Sequence, residues 1–117
     1  MPHALIAEDE MLIRELIAED LGDVGFSVTT CADADAAVAA IDPAAPIDLL
    51  FTDVRMPGSI DGWELGRRAR ALHPGLKVIY ATGYSEGFPP LGAGERRLAK
   101  PYRHESLMAA LRELKLV

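Results

Sequence analysis

The chain has 117 residues, of which 50% are apolar and 26% are charged. This length and composition predict one globular domain over residues 1–117 and exclude a disordered chain or two domains. The formal net charge of −6 argues against direct binding to nucleic acid or to an anionic membrane surface.

A single cysteine, Cys31, excludes an internal disulfide. The first residues lack the long apolar segment of a signal peptide, and no apolar run approaches the length of a membrane span. These features predict a cytoplasmic protein.

The first half of the chain contains two predicted strand and helix pairs followed by a third strand. An apolar run at 4–7 precedes a helical pattern over 12–24, in which apolar residues recur at three-to-four spacing. Residues 26–30 are rich in β-formers, and Asp33 follows as the N-cap of an alanine-rich helix. The apolar run 47–52 is the third predicted strand.

The second half continues the alternation. Asp61 with Glu64 three residues later is a capping-box spacing, and it predicts the start of a third helix. Strands are predicted over 77–81 and, more weakly, over 95–99. The last helix carries apolar residues on one face, namely Leu107, Met108, Leu111 and Leu114.

Strands that alternate with helices predict an α/β fold in which helices cover both faces of a five-stranded parallel sheet. The strands at 4–7, 47–52 and 76–81 are almost entirely apolar. Strands buried on both faces have this composition, so these three are predicted to be central.

Polar side chains follow the strands at the sheet edge where ligands bind in open α/β folds. Glu8 and Asp9 follow the first strand, Asp53 the third, Thr82 the fourth and Lys100 the fifth. Three acids, a hydroxyl and an ammonium group are therefore expected to meet at one edge.

Three neighbouring carboxylates repel one another unless a cation neutralises them, and Mg²⁺ suits a site of carboxylates, a backbone carbonyl and water. In such a site Asp53 is the candidate nucleophile towards phosphorus. Lys100 and Thr82 are expected to bind phosphoryl oxygens.

These motifs resemble the receiver domains of bacterial two-component response regulators, and the resemblance covers the whole chain. The motifs that carry it are Glu8-Asp9, the run Phe51-Thr52-Asp53-Val54-Arg55-Met56-Pro57-Gly58, Thr82 and Lys100-Pro101-Tyr102.

The resemblance implies a flavodoxin-like fold with strand order 2-1-3-4-5 and a cis bond between Lys100 and Pro101. It also implies that Asp53 is the phosphorylation site. Mg²⁺ would be held by Asp9, Asp53 and the backbone carbonyl of Arg55, with Glu8 acting through water.

The chain departs from the family pattern in two places. Arg97 lies three residues before Lys100, where most receivers have an aromatic residue that acts in the switch. Prolines and glycines are dense over 85–94, which predicts a short or irregular fourth helix that phosphorylation orders. The segment from Tyr80 to Tyr84 is similar to the Phe-Ala-Thr-Gly-x-Tyr signature of a stand-alone receiver subfamily.

Other functions of this architecture fit less well. A flavin mononucleotide carrier needs a phosphate loop where Glu8-Asp9-Glu10 stands, and a dehalogenase-like phosphatase needs an acid at Arg55. The alternative that stays open is a pseudo-receiver, an adaptor that binds a partner without being phosphorylated.

The expected partners are a sensor histidine kinase or histidine phosphotransfer protein and a downstream protein target. The protein would act through protein contact or as a phosphate sink, as a monomer or weak dimer. It would assist its own phosphorylation and dephosphorylation without being an enzyme that releases an external product.

Overall fold

A computed structural model describes residues 2–83 and 89–117. This part of the chain contains five strands and four helices. In chain order they are β1 (His3–Ala7), α1 (Met11–Asp23), β2 (Ser27–Cys31), α2 (Ala34–Ala40), β3 (Leu49–Asp53), α3 (Gly62–Leu72), β4 (Lys77–Thr82), β5 (Glu95–Ala99) and α4 (His104–Glu113).

The strands form one parallel sheet in the order β2-β1-β3-β4-β5, which confirms the predicted fold and strand order. Every residue of β3 is buried, because helices cover both faces of the sheet at this central position. β2 lies at an edge, and Thr29 and Thr30 within it are exposed.

Two apolar layers flank the sheet. On one face Ile17 and Leu21 of α1 and Leu107 and Leu111 of α4 pack against side chains of the strands. On the other face Ala37 of α2 and residues of α3 pack against the alternate side chains of the same strands. The result is a three-layer α/β/α domain whose radius of gyration is 12.6 Å.

The helix starts follow the predicted capping chemistry. Asp33 accepts a hydrogen bond from the Ala36 amide at 2.7 Å, and Asp61 accepts one from the Glu64 amide at 2.9 Å. Each side chain satisfies an amide that has no partner within its helix, which fixes where α2 and α3 begin.

The structure differs from the sequence prediction mainly at element ends. β2 begins at Ser27, one residue after Phe26, because the buried Phe26 belongs to the turn that follows α1. The predicted fourth helix falls partly on residues 84–88, which lie outside the described residues, and residues 89–94 contain no helix. Within the described ranges, no helix is both long and apolar enough to span a membrane.

Candidate functional site

The predicted site residues lie together at the carboxyl edge of the sheet. Asp53 is the last residue of β3 and Thr82 is the last residue of β4, while Glu8 and Lys100 directly follow β1 and β5. The parallel register places Asp53 beside Ala81 and Thr82 beside Ala99, so the strand ends reach the same level.

Three carboxylates converge at this edge. Oxygen atoms of Glu8, Asp9 and Asp53 all lie within 4.8 Å of one another. Glu8 and Asp53 are buried, with 0% and 5% of their surface exposed, whereas Asp9 is open to solvent. The cluster therefore has a buried side, formed by Glu8 and Asp53, and an exposed side at Asp9.

Lys100 closes the cluster from the β5 side. Its Nζ lies 3.0 Å from Oδ2 of Asp53 and 3.5 Å from Oε1 of Glu8, and its amide donates to the carbonyl oxygen of Thr82 at 2.8 Å. Partial burial disfavours the charged ammonium, but the hydrogen bond and charge of Asp53, together with Glu8, outweigh it. The pKa of Lys100 is therefore raised, and the residue stays cationic.

The surroundings of Glu8 disfavour its ionised form, whereas those of Lys100 favour the charged ammonium. Its pKa is raised, first because burial disfavours the carboxylate and also because Asp9 and Asp53 lie close by. A hydrogen bond from the Glu10 amide to Oε2, at 3.1 Å, and the charge of Lys100 oppose this shift. A cation bound among these carboxylates would therefore stabilise the ionised form of Glu8.

The donor set fits a hard divalent cation. Three carboxylates and one ammonium group leave an excess of negative charge, and all the candidate ligand atoms are oxygens, which Mg²⁺ prefers. Arg55 lies two residues after Asp53 in the loop that joins β3 to α3, with its side chain exposed.

That loop is anchored at both ends. The Val54 amide donates to the Ala81 carbonyl at 3.1 Å, and the Gly62 amide donates to the Val54 carbonyl at 2.9 Å. Gly62, the first residue of α3, packs so closely that an added Cβ would lie 2.8 Å from Cα of Val54 and closer still to the Asp53 carbonyl oxygen. A glycine at this position therefore lets α3 begin directly against the backbone of Asp53.

A second tether lies at the far end of the loop. Ser59 donates from its hydroxyl to Oδ1 of Asp35 at 2.7 Å and from its amide to Oδ2 at 3.2 Å. These hydrogen bonds from Ser59 lower the pKa of Asp35. They fasten the loop to the start of α2.

Three features beside the site were not predicted from the sequence. Arg14 donates from Nη1 to the carbonyl oxygen of Glu8 at 2.9 Å. The Tyr102 ring packs 5.8 Å from the Phe51 ring, while its buried hydroxyl has no hydrogen-bond partner among the described residues. The position of Arg14 in the helical pattern carries no signal for its contact, and Tyr102 is distinguished in the sequence only as part of the motif Lys100-Pro101-Tyr102.

The third feature is a polar contact beneath the end of β4. Tyr80 is buried and donates to Oε2 of Glu95 at 2.8 Å, and its ring centroid lies 4.5 Å from that of Trp63. Arg70 forms a 3.1 Å ion pair with Oε1 of Glu95. Arg97, which occupies the position of the aromatic residue in the family pattern, pairs in register with Tyr80. Tyr84 of the signature segment lies outside the described residues.

Residues 4–112 match the family model of the response regulator receiver domain. The chain is similar to the response regulator receiver protein CpdR of Brucella abortus, with 35% identity over 73% of this chain and 69% of the relative. It is also similar to the transcriptional regulatory protein TcrA of Mycobacterium tuberculosis, with 36% identity over 94% of this chain. The chain spans only 44% of the length of TcrA.

Solved structures of response regulators and receiver domains are also similar to this chain. Response regulator TrrA from Thermotoga maritima, in complex with Mg²⁺-BeF, superposes with a TM-score of 0.81 at 28% identity, covering 97% of this chain and 99% of that one. The receiver domain of the hybrid histidine kinase CckA superposes with a TM-score of 0.78 at 33% identity, covering 96% and 98%.

Proposed function

Because the chain belongs to the response regulator receiver domain family, whose members are signalling domains of two-component systems, we propose that Asp53 accepts a phosphoryl group. The observation that carries this proposal is the contact of Asp53 with Lys100 inside a cluster of three carboxylates. We also propose that residues 1–117 form a single receiver domain.

In the proposed reaction, one carboxylate oxygen of Asp53 attacks the phosphorus of a phosphohistidine on the donor protein. An oxygen–phosphorus bond forms and the phosphorus–nitrogen bond breaks. The electron pair stays with the imidazole nitrogen, which takes up a proton. Asp53 suits this role because it is buried at the strand end, yet it belongs to the cluster that opens to solvent through Asp9.

Mg²⁺ would be held by Asp9, Asp53 and the backbone carbonyl of Arg55, with Glu8 acting through water. When bound, it would neutralise the carboxylates and screen the negative charge of the phosphoryl group. The excess of negative charge and the all-oxygen donor set support this assignment.

Lys100 and Thr82 would stabilise the transferred group. Lys100 Nζ lies 3.0 Å from Oδ2 of Asp53, so its ammonium would be close to a phosphoryl oxygen on which charge develops. Thr82 is buried at the end of the neighbouring strand, and its hydroxyl would donate to a second oxygen.

In this proposal a donor protein would dock on an apolar surface beside the site. Met11, Leu12 and Leu16 of α1 are 57%, 73% and 63% exposed, and α1 begins two residues after Asp9. A groove of about 720 Å³ lies between α1 and the segment around Tyr102. Exposed apolar patches of this kind mark protein interaction sites, which supports transfer from a histidine kinase or phosphotransfer protein. A downstream protein target would then read the phosphorylated state.

Intact-mass spectrometry after incubation with a small-molecule phosphodonor and Mg²⁺ tests the proposal. Wild type is expected to gain one phosphoryl group, and chelation of Mg²⁺ or the Asp53→Asn substitution is expected to abolish the gain. Asp23→Asn, the same chemical change at the exposed end of α1, serves as the control and is expected to behave as wild type. If wild type gains no phosphoryl group from this donor or from candidate kinases, the pseudo-receiver adaptor becomes the better account.

A further inference from the structure

The backbone of Glu8 is held on both sides by groups that lie outside the carboxylate cluster. Its amide donates to the carbonyl oxygen of Cys31 at 3.0 Å, and its carbonyl oxygen accepts a 2.9 Å hydrogen bond from Nη1 of Arg14. Glu8 thus bridges the end of β2 and the first turn of α1.

Arg14 is well placed to hold this carbonyl. The Arg14 amide donates to the Glu10 carbonyl at 2.9 Å, so its backbone belongs to the first hydrogen-bonded turn of α1. The side chain is half-buried and reaches back to Glu8, which lies six positions earlier in the chain. Glu10, the N-cap residue, makes no side-chain hydrogen bond to the helix, so it does not fasten the chain in this way.

Arg14 is expected to have two opposite effects on metal binding, one through its charge and one through its hydrogen bond. A guanidinium beside a cluster of carboxylates repels an incoming Mg²⁺, so electrostatics alone would make Arg14 unfavourable for metal binding. Groups that orient metal ligands without touching the metal have the opposite effect, and losing them typically weakens metal affinity by about 10- to 100-fold.

We propose that Arg14 is a positioning residue for the metal site, which fixes the backbone at Glu8 so that the adjacent carboxylates of Glu8 and Asp9 converge with Asp53. This inference rests on the proposed function, because it requires that the cluster bind Mg²⁺. It predicts that the orienting effect of the hydrogen bond exceeds the repulsion between the two cations.

The test compares Mg²⁺ affinity by isothermal titration calorimetry in wild type, Arg14→Met and Arg14→Lys. Arg14→Met removes the donor and the charge and is expected to weaken binding at least about tenfold. Arg14→Lys keeps the charge on a shorter side chain that cannot hold the carbonyl as well. Arg14→Lys is also expected to weaken Mg²⁺ binding, but by less than Arg14→Met does.

Arg112→Met, at an exposed position on α4, makes the same change in net charge and is expected to bind Mg²⁺ as wild type does. Urea unfolding with a chelator present identifies which variants are folded. If Arg14→Met does not fold, Arg14→Lys decides the matter.

Binding by a folded Arg14 variant that equals or exceeds wild type would overturn the positioning role while leaving the proposed function intact. A purely structural role would lower the urea midpoint and leave the Mg²⁺ affinity of the folded protein unchanged, which is also a contrary result. Failure of wild type itself to bind Mg²⁺ would overturn both the proposed function and this inference.

Discussion

Gly62 provides a sharp test of how the phosphoacceptor is held, because it lies at the start of α3 directly against the backbone of β3. In Gly62→Ala the new methyl group would meet backbone atoms of Asp53 and Val54. Backbone atoms cannot rotate away as side-chain atoms can. Either α3 or the end of β3 must therefore move.

The change in the free energy of unfolding can be estimated from the distances between the new Cβ and the backbone of Asp53 and Val54. The Cβ would lie 2.8 Å from Cα of Val54, which is 0.6 Å short of the 3.4 Å at which ordinary contact begins. Overpacking of this kind costs about 1–3 kcal/mol, and the gain from replacing a helical glycine by alanine offsets at most about 1 kcal/mol. The Cβ would come closer still to the Asp53 carbonyl oxygen, so the cost is expected in the upper part of this range, about 2–3 kcal/mol. After an offset of about 1 kcal/mol, we expect Gly62→Ala to lower the free energy of unfolding by about 1–2 kcal/mol.

Gly22→Ala is the matched control, because Gly22 is also helical and an added Cβ there meets no atom within 4 Å. This variant is expected to gain about 0.5–1 kcal/mol. Urea unfolding with a chelator present should separate the two variants by about 1 M in midpoint. A Gly62→Ala protein as stable as wild type, with Gly22→Ala stabilised as expected, would refute the close-packing argument.

Three further substitutions test single contacts. Tyr102→Phe removes a buried hydroxyl that has no partner within residues 2–83 and 89–117, and it is expected to raise the free energy of unfolding by about 1 kcal/mol. A lower free energy in urea unfolding would mean that the hydroxyl has an acceptor. Tyr80→Phe also removes a hydroxyl, but it deprives Glu95 of a hydrogen-bond donor, so we expect the free energy of unfolding to fall by about 1–3 kcal/mol. An unchanged free energy in urea unfolding would contradict the hydrogen bond between Tyr80 and Glu95. Ser59→Ala should return the pKa of Asp35 upwards towards 3.8, as measured by carboxyl NMR titration. Because the pKa of Asp35 is lowered in the folded protein, the stabilisation from its carboxylate is present above pH 3.8 and is lost as the pH falls through the folded-state pKa. If the pKa of Asp35 is the same in Ser59→Ala as in wild type, the Ser59 hydroxyl is not the cause of the shift.

The fold was predictable because the apolar runs and capping residues act locally. Asp33 and Asp61 cap the helices as expected, since an N-cap needs only an amide two or three residues along. The burial of α1 was harder to predict. Leu12 and Leu16 follow the helical spacing but are exposed, because the sheet covers only the side of α1 that carries Ile17. Spacing identifies a helix, but it does not show how much of its surface a neighbour covers.

The site was predictable to the extent that topology alone creates it. The carboxyl ends of parallel strands meet at one edge, so Asp53 and Lys100 could be expected to lie close together despite their separation in sequence. The contact from Arg14 to Glu8 and the burial of the Tyr102 hydroxyl depend on side-chain rotamers and on packing between elements. No pattern in a single sequence encodes those details.

Chemical trapping of the modified residue tests the central claim most directly. Borohydride reduces an acyl phosphate to the alcohol, so a phosphorylated aspartate is recovered as homoserine and can be located by peptide sequencing. After incubation with phosphodonor and Mg²⁺, we expect homoserine at position 53 and nowhere else in the chain. Homoserine at another acidic position, or none in a protein that has gained a phosphoryl group, would contradict the assignment of Asp53 as the phosphoacceptor.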